Sequence, residues 1–288
     1  MRKVVLFALA AFAVIGCATH KPSVPADKLW TEANEYYDSE AWDLAIGKYK
    51  TLLDQHPFDE NAEEAERRIA YSYYMAKRYP EAIAAFGDFE RMHPTSEHLP
   101  FVEYHLGLSY LAQATTSDRD QGSATNANTY FRNLTDRFPQ SPWAERARLR
   151  MRETREMLSG HESKIALYYV RHHNISAAES RLALLLHDYP ETDATAELLY
   201  AFADIYDTRH EPEGAQLARA ALVQQHPDGP LAADARAHLK GDPPAEDAVP
   251  LLIAHIDGMR AQADRKELPH TVSAYPDNGA ANTSTPTY

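Results

Sequence analysis

The residues of this chain that could do chemistry are its histidines, its acid clusters and a single cysteine. Fourteen histidines are spread over 288 residues. His56, His93 and His226 each stand immediately before a proline, where Phe138 and Tyr189 stand in otherwise equivalent segments. A position that takes histidine, phenylalanine and tyrosine alike asks for a flat ring, so these histidines are expected to pack at turns. His172 and His173 are neighbours that point to different faces of a helix and make poor joint ligands. Glu60, Glu63, Glu64 and Glu66 form an acidic run of the kind the helix dipole favours at a solvated helix start. No HExxH, GxSxG, phosphate-binding P-loop or GxGxxG pattern occurs. The expectation is a protein that is not an enzyme, with no catalytic residues, no metal and no cofactor.

What the residues share is a period. One pattern recurs five times: a small residue, large apolar residues about four and seven later, and proline twelve later. It reads Ala45, Tyr49, Leu52, Pro57; Ala82, Phe86, Phe89, Pro94; and Ala127, Phe131, Leu134, Pro139. It continues as Ala178, Leu182, Leu185, Pro190 and as Ala215, Arg219, Leu222, Pro227. Such spacing lines one face of a helix, and the proline lies where a helix must stop. A partner helix precedes each copy, marked by a small residue and an aromatic three later: Ala33/Tyr36, Ala70/Tyr73, Gly107/Tyr110, Ala166/Tyr169 and Ala203/Tyr206. In the third unit this pair lies eight residues further upstream, within reach of a polar insertion at 115–125. This is the tetratricopeptide pattern, and it predicts an all-α fold, an α-solenoid of five helix pairs.

In such a solenoid the first helix of each pair lines the concave side. Positions three before, one after and four after the small residue should face that groove. They are Trp30, Asn34, Tyr37; Arg67, Tyr71, Tyr74; Tyr104, Leu108, Leu111; Ser163, Leu167, Val170; and Tyr200, Asp204, Asp207. Aromatic side chains with a guanidinium suit an extended peptide ending in a free carboxylate. Trp30, Tyr37, Arg67, Tyr71 and Tyr74 are therefore the candidate peptide-binding residues.

The N-terminus carries an address. Met1-Arg2-Lys3 is cationic, and Val4 to Gly16 is an uncharged apolar run of thirteen residues, too short for the roughly 20 a spanning helix needs. The run ends Val14-Ile15-Gly16-Cys17, which resembles a bacterial lipobox. That resemblance implies removal of a signal peptide at 1–16 and acylation of Cys17, the only cysteine of the chain. Two or more acyl chains hold a protein stably on a membrane. Ala18 after the cysteine favours delivery to the outer membrane. Residues 17–26, with Pro22 and Pro25, form a linker. Nine extended residues reach only about 28 Å at ~3.1 Å each, so the first repeats should stay near the membrane surface. The expected organisation continues with repeats 1–2 at 27–98, repeat 3 at 99–158, repeats 4–5 at 159–240, and a mostly disordered tail at 241–288 holding a short helix around Val249 to Met259. With one cysteine there is no internal disulfide, and stability must come from a packed core. The formal net charge of −13 becomes two units more negative once Arg2 and Lys3 leave with the leader. That disfavours nucleic acid, whose phosphates demand a basic footprint.

Lipobox and repeats together resemble the ComL/YfiO lipoprotein group, the BamD family. The carriers are His56-Pro57-Phe58, Ala70-Tyr71-Ser72-Tyr73-Tyr74, Ser117-Asp118-Arg119-Asp120, Tyr168-Tyr169 and Asp188-Tyr189-Pro190-Glu191-Thr192, in the order of five repeats with an inserted third loop. The resemblance implies a lipid-anchored scaffold at the periplasmic face of the outer membrane, within the β-barrel assembly machinery. It implies C-terminal repeats that hold BamA, with Arg181 matching the arginine that faces it, and N-terminal repeats that engage the C-terminal signal of unfolded barrel proteins. Its partners would be BamA, other assembly-machine subunits, unfolded outer-membrane β-barrel proteins and, through the anchor on Cys17, outer-membrane lipid. The loop after Tyr110 is shorter than in enterobacterial members, Gln121 stands where proline often follows Asp120, and the tail after residue 240 has no counterpart. A tetratricopeptide lipoprotein adaptor of pilus assembly or envelope constriction would carry the same two features.

Overall fold

The computed structural model describes residues 24–114, 121–241 and 246–267. Among these the chain is helical throughout, with helices joined by turns. The helices are α1 (Ala26–Asp38), α2 (Trp42–Gln55), α3 (Ala62–Met75), α4 (Tyr79–Met92), α5 (Leu99–Ala114), α6 (Gly122–Arg137), α7 (Pro142–Arg171), α8 (Ile175–Asp188), α9 (Asp193–Thr208), α10 (Pro212–Gln225), α11 (Ala232–His238) and α12 (Ala248–Glu267). The chain divides after Leu158 into two compact units. In the first unit α1 to α6 pack in sequence order, each on the next, and α3 also meets α5. In the second, α9 packs on α10, and α12 lies against both α10 and α8.

The repeated positions are the core. Every small and large residue of the first four copies, from Ala45, Tyr49 and Leu52 to Ala178, Leu182 and Leu185, is 0 % exposed. Each such Leu or Phe contributes about 1.5–3 kcal/mol by leaving water. The alanines opposite them, Ala33, Ala70 and Ala166, are equally buried, because a larger side chain there would separate the paired helices. Gly107 is the extreme case: a Cβ at that position would lie 2.6 Å from Phe131 Cε1. The fifth copy departs from the rule. Arg219 occupies the large apolar position and is 7 % exposed, its guanidinium paired with Asp207 of the partner helix.

Both kinds of turn repeat as well. Between the helices of a pair, Glu40, Lys77, His173 and His210 each take φ near +60°, seven residues after the small residue. At each, the next residue's N–H donates back to the aromatic three after the small residue: Ala41 to Tyr36, Arg78 to Tyr73, Asn174 to Tyr169 and Glu211 to Tyr206. This left-handed closure ends the first helix and satisfies its last carbonyls. In the third repeat the equivalent residue, Ala114, still belongs to α5. At the ends of the second helices, His56, His93, Phe138, Tyr189 and His226 donate their backbone N–H to the carbonyl four back. Their rings do more than pack. His56 Nε2 donates to Val24 O at 2.7 Å and His226 Nε2 to Pro190 O at 2.9 Å.

Two elements differ from expectation. The long interval before Pro190 is filled by α7, a single helix of 30 residues. The tail helix is also longer than its apolar patch, at 20 residues. Ala248, Val249, Leu252 and Ile256 form a stripe on α12 that is buried in the second unit's core. Gly214 of α10 admits that close approach, since a Cβ there would sit 2.9 Å from His255 Nε2.

These contacts give a paired test. Gly107→Ala should lower stability by about 1–3 kcal/mol, because Phe131 is fully buried and cannot yield. Gly47→Ala, which meets nothing within 4 Å, should raise it by about 0.5–1 kcal/mol. Urea unfolding of both variants checks the pair, and a Gly107→Ala protein as stable as the parent would contradict the packing described.

Candidate functional site

α3 sets Arg67, Tyr71 and Tyr74 at i, i+4 and i+7, hence on one face. The structure brings to that face the α1 residues proposed alongside them. The Tyr37 ring lies 6.2 Å from that of Tyr71, and Trp30 lies 5.6 Å from Tyr49, which is itself 6.3 Å from Tyr37. Tyr74 stands 6.2 Å from Tyr71. All five candidates are half-buried, neither core nor free surface. The rings continue beyond the predicted set. Tyr71 meets Phe101 at 5.5 Å, and Phe101 meets Trp143 at 5.3 Å. His105 lies 5.1 Å from Tyr71 and 5.6 Å from Tyr74. Tilted and edge-on ring pairs at such distances add about 0.5–1.5 kcal/mol each beyond burial. The first unit therefore carries a strip of half-buried rings in contact from Tyr37 through Tyr71 and Phe101 to Trp143, with Trp30 joined to Tyr37 through the Arg68 guanidinium and the fully buried Tyr49.

The cations of the strip are held. Arg67 forks onto Glu64, Nε to Oε2 at 2.7 Å and Nη2 to Oε1 at 2.5 Å, with its Cζ 4.6 Å from the centre of the Phe101 ring. An acid one turn earlier on the same helix thus holds the Arg67 guanidinium in place. Arg68, which the groove pattern passes over, is the second cation. It donates to Glu64 Oε1 at 2.7 Å and to Asn34 Oδ1 at 2.8 Å, and stacks 4.8 Å from the Tyr37 ring centre. Tyr49 OH donates to the same Asn34 oxygen at 2.5 Å. Burial alone would raise the Glu64 pKa, but the hydrogen bonds from Arg67 and Arg68 hold it below the usual carboxylate value. Two guanidiniums thus share one carboxylate, which leaves this part of the strip positive. The Tyr37 phenol is pushed up to about 12, chiefly by burial, and stays a neutral donor.

In the third repeat two of the three predicted groove residues turn inward. Tyr104 and Leu111 are buried with Phe131 and Leu134, while the half-buried Phe101 and, beneath the surface, the buried His105 meet Tyr71. In the second unit Ser163 is buried. Asp204 and Asp207 face Arg219 instead of standing alone, and Tyr200 OH donates to Asp234 Oδ2 at 2.8 Å. Arg181, on α8, donates to Glu162 Oε2 at 2.8 Å and keeps about a third of its side chain in solvent. Among the described residues no group of three or more acids, histidines or cysteines could hold a metal, and no helix is long and apolar enough to cross a membrane. Cys17, the expected signal peptide at 1–16, Ser117 to Asp120 and the part of the expected disordered tail at 268–288 lie outside the described residues.

The Nδ1–H of His105 donates to Phe101 O at 2.8 Å. Burial holds the His105 pKa down to about 4, so the folded ring stays neutral where the unfolded one charges. Its contribution to stability is full above the unfolded value near 6.5 and is lost as pH falls towards about 4. His105→Phe should remove that part of the acid dependence. Thermal midpoints of both proteins from pH 7 to pH 4 test it, and parallel curves would contradict it.

Comparison with known proteins fits this architecture. The YfiO family model, described as an outer membrane lipoprotein, matches residues 22–221. The outer membrane protein assembly factor BamD of Vibrio cholerae is 30% identical over 211 residues, covering 69% of this chain and 88% of its own. Its namesake in Neisseria gonorrhoeae is 28% identical over 250 residues, with 80% and 94% covered. That of Xylella fastidiosa is 28% identical over 217 residues, with 72% and 74% covered. With its match to that model over most of its length, this chain belongs to the YfiO family of outer membrane lipoproteins.

Proposed function

We propose that this protein is a non-enzymatic scaffold of outer-membrane β-barrel assembly, anchored at the periplasmic face of the outer membrane by lipid on Cys17. The first unit takes the C-terminal signal of an unfolded barrel protein along its aromatic strip. The second unit holds BamA, with Arg181 at the contact. The observation that carries the reading is the run of half-buried rings from Tyr37 to Trp143, flanked by Trp30, with two guanidiniums on a single carboxylate. Rings of this kind offer large, rigid contact area at low entropic cost. The surplus positive charge suits the terminal carboxylate of a strand whose side chains alternate between apolar and polar. The names of the relatives support the assembly role.

Chemically, the strip can bind and orient but not react. Arg68, locked by Glu64 and Asn34, is pre-ordered, so it loses little freedom on meeting a carboxylate. Arg67 has one partner, Glu64, and could share its remaining donors. Arg181 would have to exchange Glu162 for an acidic group of BamA, which keeps that contact reversible.

A fluorescent peptide copying the last strand of a barrel protein, titrated with the full chain, tests the first unit. Tyr71→Ala and Arg67→Glu should each weaken binding about tenfold or more, near 1.4 kcal/mol. A control peptide amidated at its C-terminus should bind more weakly to the parent protein. Unchanged affinity in both variants would remove the strip from the reading. For the second unit, Arg181→Glu should reduce retention of BamA, and full retention would remove Arg181.

A further inference from the structure

The second unit holds a polar cleft that the proposed role leaves unused. It encloses about 450 Å³ and is bounded by the start of α8, the turn between α9 and α10, and the latter half of α12. Glu179, on α8, lines it. This side chain is 3 % exposed, and its Oε1 is buried with no hydrogen-bond partner among the described residues. Glu211, on the α9–α10 turn, lines it too. Its Oε1 accepts from Arg209 Nε at 2.9 Å, while its Oε2 is buried and without a partner. Buried acceptors left unsatisfied are costly and call for a donor. The buried Tyr206 hydroxyl beside Glu179 is the donor at hand for that carboxylate, but Glu211 Oε2 is left without one, for Arg209 is engaged by the other Glu211 oxygen and Arg260 leans on Asp257 at 3.9 Å.

The character of the donor follows from the lining. A metal ion is disfavoured, since no metal-binding set of acids and histidines exists among the described residues. An anion would meet two carboxylates. Ile175 and Met259, both packed on the second unit's core, give the cleft an apolar flank suited to a methylene stem. Two acceptors carried on separate elements match a planar group with several donors better than a compact ammonium. We infer that the cleft receives the guanidinium of an arginine side chain presented by a protein partner, with Glu179 and Glu211 as its acceptors. Burial raises the Glu179 pKa, reinforced by Glu211 and opposed by Arg209 and the Tyr206 hydroxyl, and an arriving cation would favour the ionised carboxylate. The inference rests on the second unit alone and does not require that partner to be BamA.

The test is methyl NMR on the full chain, labelled at isoleucine and methionine, titrated with N-acetyl-arginine methylamide. The Ile175 and Met259 signals should shift saturably with a dissociation constant of about 1 mM. The neutral isostere N-acetyl-citrulline methylamide should bind at least tenfold more weakly, and the lysine analogue in between. Glu179→Gln and Glu211→Gln should each weaken the arginine compound about tenfold, whereas Glu213→Gln, an acid 80% exposed nearby, should not. If circular dichroism shows Glu179→Gln unfolded, Glu211→Gln carries the test, its side chain being 22% exposed. No saturable shift, an equal response to the citrulline compound, or affinity unchanged in the glutamine variants would overturn the inference. Tighter binding of spermidine than of the arginine compound would also overturn it, assigning the cleft to a free polyamine.

Discussion

Everything in this protein hangs on one steric constraint: an alanine or glycine on the first helix of each pair lets the second helix bring a large side chain into the seam. Ala33 faces the region of Tyr49, Ala70 that of Phe86, and Gly107 that of Phe131, all of them buried. The interlock fixes how near the paired helices lie, and the rest of the local geometry follows. The left-handed residues at Glu40, Lys77, His173 and His210 are tolerated because the packed helices on both sides hold the turn. Such a conformation costs a non-glycine residue about 1–2 kcal/mol. It persists because the residue after it donates to the aromatic carbonyl three positions past the interlocking alanine.

A face is left over once the seam is satisfied, and in the first unit that face is aromatic. Tyr71 is the hub, within ring contact of Tyr37, Trp42, Tyr74, Phe101 and His105. Rings that contact one another so extensively are ordered before any ligand arrives. Two arginines would normally add disorder and repulsion to such a surface, but Glu64 clamps both. The second unit solves its corresponding face differently. There Arg219 enters the seam itself, and its guanidinium meets Asp204 and Asp207 on the helix opposite. An arginine at an otherwise apolar position is thus explained by acids on the partner helix, with its aliphatic stem filling part of the space a leucine would take.

Much of this was legible in the sequence, because the seam repeats at constant spacing. The alanines, the large residues and the closing prolines could be aligned five times, and each aligned core position proved buried. The peptide-binding candidates Trp30, Tyr37, Arg67, Tyr71 and Tyr74 do lie together, since helical period alone places them on neighbouring helices. Other features depend on contacts that period cannot supply. Arg68 joins the site through Asn34, 34 residues away, and Phe101 lies outside the offset that worked for Arg67. The left-handed turns carry Glu, Lys and His in place of glycine, so no composition signal marked them. The apolar patch of the C-terminal segment marked a helix but not its length, because the small residues of α10, Gly214 among them, give α12 a surface to pack on.

The account stands or falls on what this chain holds in its own membrane. A tagged, lipidated copy expressed at native level, crosslinked in intact cells and purified from the outer membrane, would report its partners directly. The account predicts BamA in about equal amount, with unfolded barrel proteins as lesser species, and loss of the protein from the membrane fraction when Cys17 becomes serine. Recovery of pilus or cell-wall proteins without BamA would contradict it, leaving the helical-repeat scaffold in place but with a different task.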